Sequence, residues 1–188
     1  MYNKKMKVIL ASNSPRRRQL LGKILPQFEV IPAVAEEQSA ATEPRTYAEE
    51  LAVHKAKEVF SSHPDALVIG CDTVVDMGGS ILGKPHDKAH AAEMLRMLSG
   101  KTHAVHTGVC MVWQKGEIRF CETTLVTFRR LDEQDISRYV ESGSPMDKAG
   151  AYGIQDCDFA TKWQGSYDNV VGFPTEEVRR QLQNIYKG

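Results

Sequence analysis

The chain has 188 residues, 41% of them hydrophobic and 26% charged, with 24 basic and 24 acidic side chains and no net charge. That composition suits a folded globular protein with a substantial core, and the even charge argues against a protein held to nucleic acid by a basic surface. No run is long and apolar enough to span a bilayer, and the short one ending at Ser12 does not make a signal peptide.

Residues 6–10 read as a buried strand and 15–25 as a helix with Leu20, Leu21, Ile24 and Leu25 inward. In the turn between them Ser14 suits the N-cap and Pro15 the first helical position. Arg16, Arg17 and Arg18 then fill the first turn, where the helix dipole disfavours cations. The other expected helices place acids there: Glu49 and Glu50 after Thr46, Glu133 and Asp135 after Asp132, Glu176 and Glu177 after Thr175. Two readings of the arginine turn stand. Either free N–H groups and guanidinium forks form an anion seat, or the arginines fan into water.

A second strand is expected over 28–32, then a polar loop carrying Glu36, Glu37 and Pro44. Residues 46–60 read as a helix started by a capping box, Thr46-x-x-Glu49. Lys55 lies along its apolar stripe between Leu51 and Val59, either reaching to water or aimed at a negative ligand in a cleft. The most apolar stretch, 67–75, is a strand expected to be buried on both faces, and Asp72 interrupts it. A carboxylate there is costly unless paired, hydrogen-bonded or metal-bound, which makes it a site candidate. The simpler alternative is that it accepts backbone hydrogen bonds at a strand end.

Residues 76–80 form a hairpin turn and 81–82 a return strand. Gly78 to Lys84 has the spacing of a P-loop, but Pro85 replaces the hydroxyl residue and a strand fills the loop. A helix over 87–98 closed by Gly100, a long hairpin over 102–113 and 117–129, a helix over 131–141 and a last helix from Thr175 to about Tyr186 complete the regular elements. His103 and His106 fall on opposite faces of their strand and cannot share a metal. Two glycine-rich loops, 147–155 and 165–174, allow close backbone approach to a ligand, with Gln155 able to read a planar hydrogen-bonding edge. The cysteines, Cys71, Cys110, Cys121 and Cys157, are scattered without a C-x-x-C pair, as expected of free thiols in a reducing cytoplasm.

Cations at the arginine turn, Lys55 and Lys84 would neutralise a polyphosphate, while Glu36, Glu37 and Asp72 would hold a divalent ion or activate water. No Ser-His-Asp or Cys-His pairing and no dinucleotide fingerprint is present. The residues alone point to a metal-assisted phosphoanhydride hydrolase.

Ser12-x-Ser14-Pro15-Arg16-Arg17, Lys55-Ala56, Gly70-x-Asp72-Thr73-Val74-Val75, Gly83-Lys84-Pro85, Ser99-Gly100, the run from Asp147 to Gln155, and Gly165-Ser166-Tyr167 with Val171-Gly172-x-Pro174 occur in an order and spacing that resembles the Maf family of nucleoside triphosphate pyrophosphatases. The resemblance covers nearly the whole chain. It implies a single Maf-like domain over 1–188 with a mixed α/β fold: a largely antiparallel, elongated central sheet flanked by helices, in two lobes with a central cleft. It also implies a cytoplasmic, often dimeric enzyme that cleaves a nucleoside triphosphate to monophosphate and pyrophosphate with a divalent metal, Mg or Mn. By this resemblance Asp72 is the general base, Ser12, Arg16, Arg17, Lys55 and Lys84 hold the triphosphate, and Glu37 and Asp72 serve the metal. Arg16, Thr73 and Gln155 resemble the subgroup acting on dTTP and UTP. Asp156 departs from the pattern, standing where glycine often follows the glutamine, and Phe173 and Thr175 replace the more usual leucines. The alternative is a nucleotide-binding regulator of cell division with little turnover. Neither nucleic acid nor membrane is an expected partner.

Overall fold

Strand alternation buries both faces of one sheet, and the helices follow from which face each must cover. The structure is a computed structural model that describes residues 6–35 and 39–187. Its strands are β1 (Val8–Leu10), β2 (Glu29–Val30), β3 (Leu67–Met77), β4 (Ser80–Leu82), β5 (Thr102–Trp113), β6 (Gly116–Phe128) and β7 (Ala160–Gln164). They form one sheet in the order β2-β1-β3-β5-β6-β7, with β4 attached to β3. β1 runs parallel to β2 and β3; the other pairings are antiparallel. The expected mixed, largely antiparallel sheet flanked by helices is therefore present.

On one face Ile9, Val68, Cys110 and Val112 pack beneath α2 (Pro44–Ser62), which contributes Ala52, Val53, Ala56 and Val59. On the other, Leu10, Ile69, Cys71, Val109 and Met111 lie beneath α1 (Pro15–Gly22) and α6 (Thr175–Lys187), which supply Leu20, Leu21, Val178 and Leu182. Each such aliphatic side chain contributes about 1.5–3 kcal/mol when fully buried. A third cluster joins Val75, Val105, Val126 and Phe128 to α3 (Lys88–Leu98) and α4 (Glu133–Glu141).

α2 lies unusually close to the sheet. A Cβ on Gly70 would come 2.3 Å from the Ala52 carbonyl oxygen, and one on Gly108 equally close to that of Ala48. Only glycine lets the helix backbone rest on the strands there, which sets the height of Lys55 above β3.

Three expectations change. α2 begins at Pro44, and its N-cap is Glu43, whose carboxylate accepts from the amides of Arg45 (3.0 Å) and Thr46 (2.7 Å). The expected box at Thr46 and Glu49 loses to this earlier cap, and Thr46 donates its hydroxyl to Glu43 instead (2.6 Å). The contrast drawn with the arginine turn weakens accordingly, because the first turn of α2 carries no acid. At α4 the expected cap does form: Asp132 and Asp135 make a reciprocal capping box. The loop expected over 165–174 contains a short helix, α5 (Tyr167–Val171), and β7 was not expected at all. Two 3-10 turns, Ser144–Asp147 and Ala149–Ala151, complete the elements.

His103 and His106 take opposite faces, as expected. His106 Nδ1 meets the Thr123 hydroxyl at 2.9 Å, and His103 Nε2 meets the Tyr152 hydroxyl at 2.7 Å. His103 is 3% exposed, its Nδ1 has no partner among the described residues, and burial pushes its pKa down to about 4. Below its unfolded value of about 6.5 the unfolded chain binds a proton that the folded one refuses, so stability falls with pH down to about 4. Urea unfolding should show that His103→Gln, which keeps a hydrogen-bonding group for Tyr152, loses about 2 kcal/mol less than the parent between pH 7 and pH 4.5. An equal loss in both proteins would assign the acid sensitivity elsewhere.

Candidate active site

β3 is paired along its whole middle on one side only. β5 follows it from Val68 to Asp76, whereas on the opposite edge β1 pairs with Leu67 to Ile69 and β4 with Val75 to Met77. Residues 70–74 of that edge have no strand partner among the described residues, and a cavity of about 800 Å³ opens against them. Ser12, Arg16, Arg17, Lys55, Asp72, Thr73, Lys84 and Gln155 all line it. Glu37, expected to serve a metal, and its neighbour Glu36 lie outside the described residues.

Alternation turns Asp72 and Thr73 to opposite faces, so the site wraps around the strand edge. On the α2 face Lys55 Nζ donates to Asp72 Oδ1 at 2.6 Å, both side chains being 11% exposed. The burial of Asp72 in mid-strand is thus explained by a cation, not by backbone bonds at a strand end. On the other face Arg17 spreads its guanidinium over three acceptors: the Gly172 carbonyl (2.9 Å), the Ser12 hydroxyl (3.4 Å) and the Thr73 hydroxyl (3.1 Å). Thr73 is held in turn by Thr107 (2.9 Å), whose hydroxyl donates to the Asn169 carbonyl (3.0 Å). Asn169 is fully buried and donates to the Val105 carbonyl and to Thr124. The position of Arg17 is therefore carried into the sheet by a polar chain.

The three arginines separate in role. Ser14 caps α1, its hydroxyl accepting from the Arg17 amide at 3.4 Å. Arg16 crosses the cavity to Asp147, donating to its carboxylate at 2.8 Å and its carbonyl at 3.3 Å. Arg18 is exposed and lines a separate groove beside β2. The adverse dipole at this helix start is thus offset for two arginines by acceptors from other elements. Lys84 and Gln155 are exposed at the cavity wall. Lys84 follows β4, which occupies the interior of the apparent P-loop and rules out that geometry.

Sequence reasoning assigned no role to Asp147. Its carboxyl is raised by burial, but hydrogen bonds from Lys148 and Arg16 outweigh this and hold it down at about 2. It stays ionised and competes for Arg16 with any anion entering the cavity. Its place in the glycine-rich run 147–155 was the only available signal, since its partner lies 131 residues away.

Among the described residues no group of three or more His, Cys, Asp or Glu could enclose a metal ion. Asp72 nevertheless fits one: Oδ2 receives no hydrogen bond among the described residues, and the carboxylate borders a cationic cavity. One or two carboxylates completed by substrate phosphates are the usual donor set for magnesium. Among the described residues no helix is long and apolar enough to cross a membrane.

The chain is similar to known proteins in sequence and in fold. The family described as "Maf-like protein" matches residues 7–185. A protein of Deinococcus radiodurans named dTTP/UTP pyrophosphatase is 49% identical, covering 94% of this chain and 92% of its own. Proteins of the same name from Thermococcus onnurineus and Koribacter versatilis are each 47% identical, covering 91% and 97% of this chain and 94% and 96% of their own. In fold the chain is similar to the Ham1 protein of Staphylococcus aureus, with a TM-score of 0.55 at 14% identity over 95% of this chain and 98% of that one.

The Lys55–Asp72 pair gives a test independent of substrate. Removing one partner of a buried pair costs about 3–5 kcal/mol, because the other charge stays buried alone. Lys55→Met should therefore lower the denaturant midpoint strongly, and adding Asp72→Asn should restore much of the loss. A double variant no more stable than Lys55→Met would show that the two charges are not coupled.

Proposed function

The chain belongs to the Maf family, and from that membership we propose that its cleft hydrolyses dTTP and UTP to the monophosphate and pyrophosphate. The observation that carries the reading is the convergence on one cavity of cationic side chains, Arg16, Arg17, Lys55 and Lys84 among them, around one buried carboxylate, Asp72. The names of the relatives favour turnover over a purely regulatory role.

In this reading the triphosphate lies across the open edge of β3. Arg17, already oriented by Gly172, Ser12 and Thr73, offers its remaining N–H groups, while Arg16 exchanges Asp147 for a phosphate and Lys84 closes over the chain. Lys55 holds Asp72 by Oδ1, which leaves Oδ2 for water. A water molecule gives its proton to Asp72 as its oxygen bonds to the α-phosphorus. The bond from that phosphorus to the bridging oxygen breaks, and pyrophosphate leaves with the bonding pair. A divalent cation, Mg²⁺ or Mn²⁺, held by Asp72 and Glu37, would neutralise charge on the phosphates. Gln155 faces the base, while Thr73 bears on selection through Arg17, which its hydroxyl holds. A cytoplasmic setting belongs to the same reading and suits the four free cysteines.

Purified protein supplied with Mg²⁺ or Mn²⁺ and a panel of nucleoside triphosphates should release pyrophosphate from dTTP and UTP. Orthophosphate with a diphosphate product, or turnover of none of the panel, would overturn the reading. Asp72→Asn should lower kcat about 10³-fold, as loss of a general base does, measured at a temperature at which the variant, destabilised by loss of the buried pair, is still folded.

A further inference from the structure

Two charged side chains beside the cavity have no part in the chemistry above. Lys148 is 8% exposed, and its ammonium is surrounded by acceptors: the Ser144 carbonyl at 2.6 Å, the Ser144 hydroxyl at 3.2 Å and Asp147 Oδ1 at 2.8 Å, with Asp156 Oδ2 3.2 Å away. A buried cation is tolerated only when neutralised and hydrogen-bonded in this manner. Both anions lead onward. Asp147 places its second oxygen on Arg16, in the first turn of α1. Asp156 also accepts from the Ser144 hydroxyl at 3.0 Å and directly follows Gln155 in sequence. A continuous line of alternating charge, Arg16–Asp147–Lys148–Asp156, thus joins the arginine seat to the loop that carries Gln155.

The loop is built to receive that line. The Asp156 amide donates to the Gly153 carbonyl at 2.9 Å, closing a turn around Gln155, and the Gly153 amide donates to the Tyr139 hydroxyl at 3.0 Å. A Cβ on Gly153 would lie 2.5 Å from Asp156 Oδ2, 2.8 Å from Lys148 Cε and 3.0 Å from Gln155 Nε2. The missing side chain is what allows these three groups to meet at one point.

We propose that Lys148 and Asp156 are positioning residues for base selection, fixing the Gln155 amide and linking it through Asp147 to the arginine that receives phosphate. Neither touches the base. They set where the residue that reads it can stand, and the occupied phosphate seat, by drawing Arg16 from Asp147, alters the charge that Lys148 feels. This rests on the proposed role of Gln155 in facing the base.

The experiment compares kcat and KM for UTP and CTP, which differ at the edge an amide would read, in the parent protein, Asp156→Ala and Lys148→Met. Asp156 is exposed, and in its alanine variant Asp147 still pairs with Lys148, so that variant tests the proposal even if Lys148→Met does not fold. Asp156→Ala should lower the UTP-over-CTP preference in kcat/KM about fivefold, chiefly through KM, with kcat for UTP within about twofold of the parent. In the Lys148→Met background the same substitution should add little, because the line is already broken. A preference unchanged by Asp156→Ala, or an equal fall in kcat for both nucleotides, would overturn the proposal while leaving the pyrophosphatase reading intact. A parent protein that turns over neither nucleotide would remove both.

Discussion

A strand paired fully on one side and left open for a short stretch on the other is the constraint from which the site follows. β3 must be held rigidly, and β5 does this from Val68 to Asp76. It must also remain accessible, and the short β1 and β4 cover only the ends of its second edge. A longer β1 would seal the gap and remove the cavity. A strand edge normally invites unwanted pairing; here it is flanked by charged side chains instead. Because neighbouring residues point to opposite faces, that edge presents Asp72 with Lys55 on one side and Thr73 with Arg17 on the other.

Several cations in the cavity already have partners before any ligand arrives. Lys55 has Asp72, Arg16 has Asp147, and Arg17 has neutral oxygens. This lets a cluster of cations sit at a helix N-terminus and along buried strands without the full cost of uncompensated charge. It also ranks them by readiness. Among the described residues Arg17 is held by hydroxyls and a carbonyl, so it keeps its net charge for an anion. Arg16 must leave a carboxylate that is ionised throughout the neutral range.

Much of the fold could be read from local pattern. β3, β5 and β6 are long and apolar or alternating, and Asp72 stands out because it breaks such a run. The cap of α2 misled because two acceptors compete: Thr46 with Glu49 fits the familiar spacing, but Glu43 before Pro44 offers an earlier start with a helix-compatible φ. α5 is five residues long and sits among glycines, too short to show a helical period. β7 lacks alternation because it is a largely exposed edge strand. The site residues were legible as types, and their convergence was implied by family resemblance. The contacts that join them were not: Arg16 to Asp147 and Arg17 to Gly172 span 131 and 155 positions, distances at which no sequence period operates.

Substrate is proposed to lie across the open edge of β3. A crystal structure with a non-hydrolysable α,β-imido analogue of UTP and Mg²⁺ tests this most directly. It should show the triphosphate against residues 70–74, with Arg17 and Lys84 on its oxygens, Arg16 released from Asp147, and the Asp72 carboxylate separated from the α-phosphorus by a single water. A nucleotide seated elsewhere, such as the groove beside β2, or one whose α-phosphorus is remote from Asp72, would contradict it.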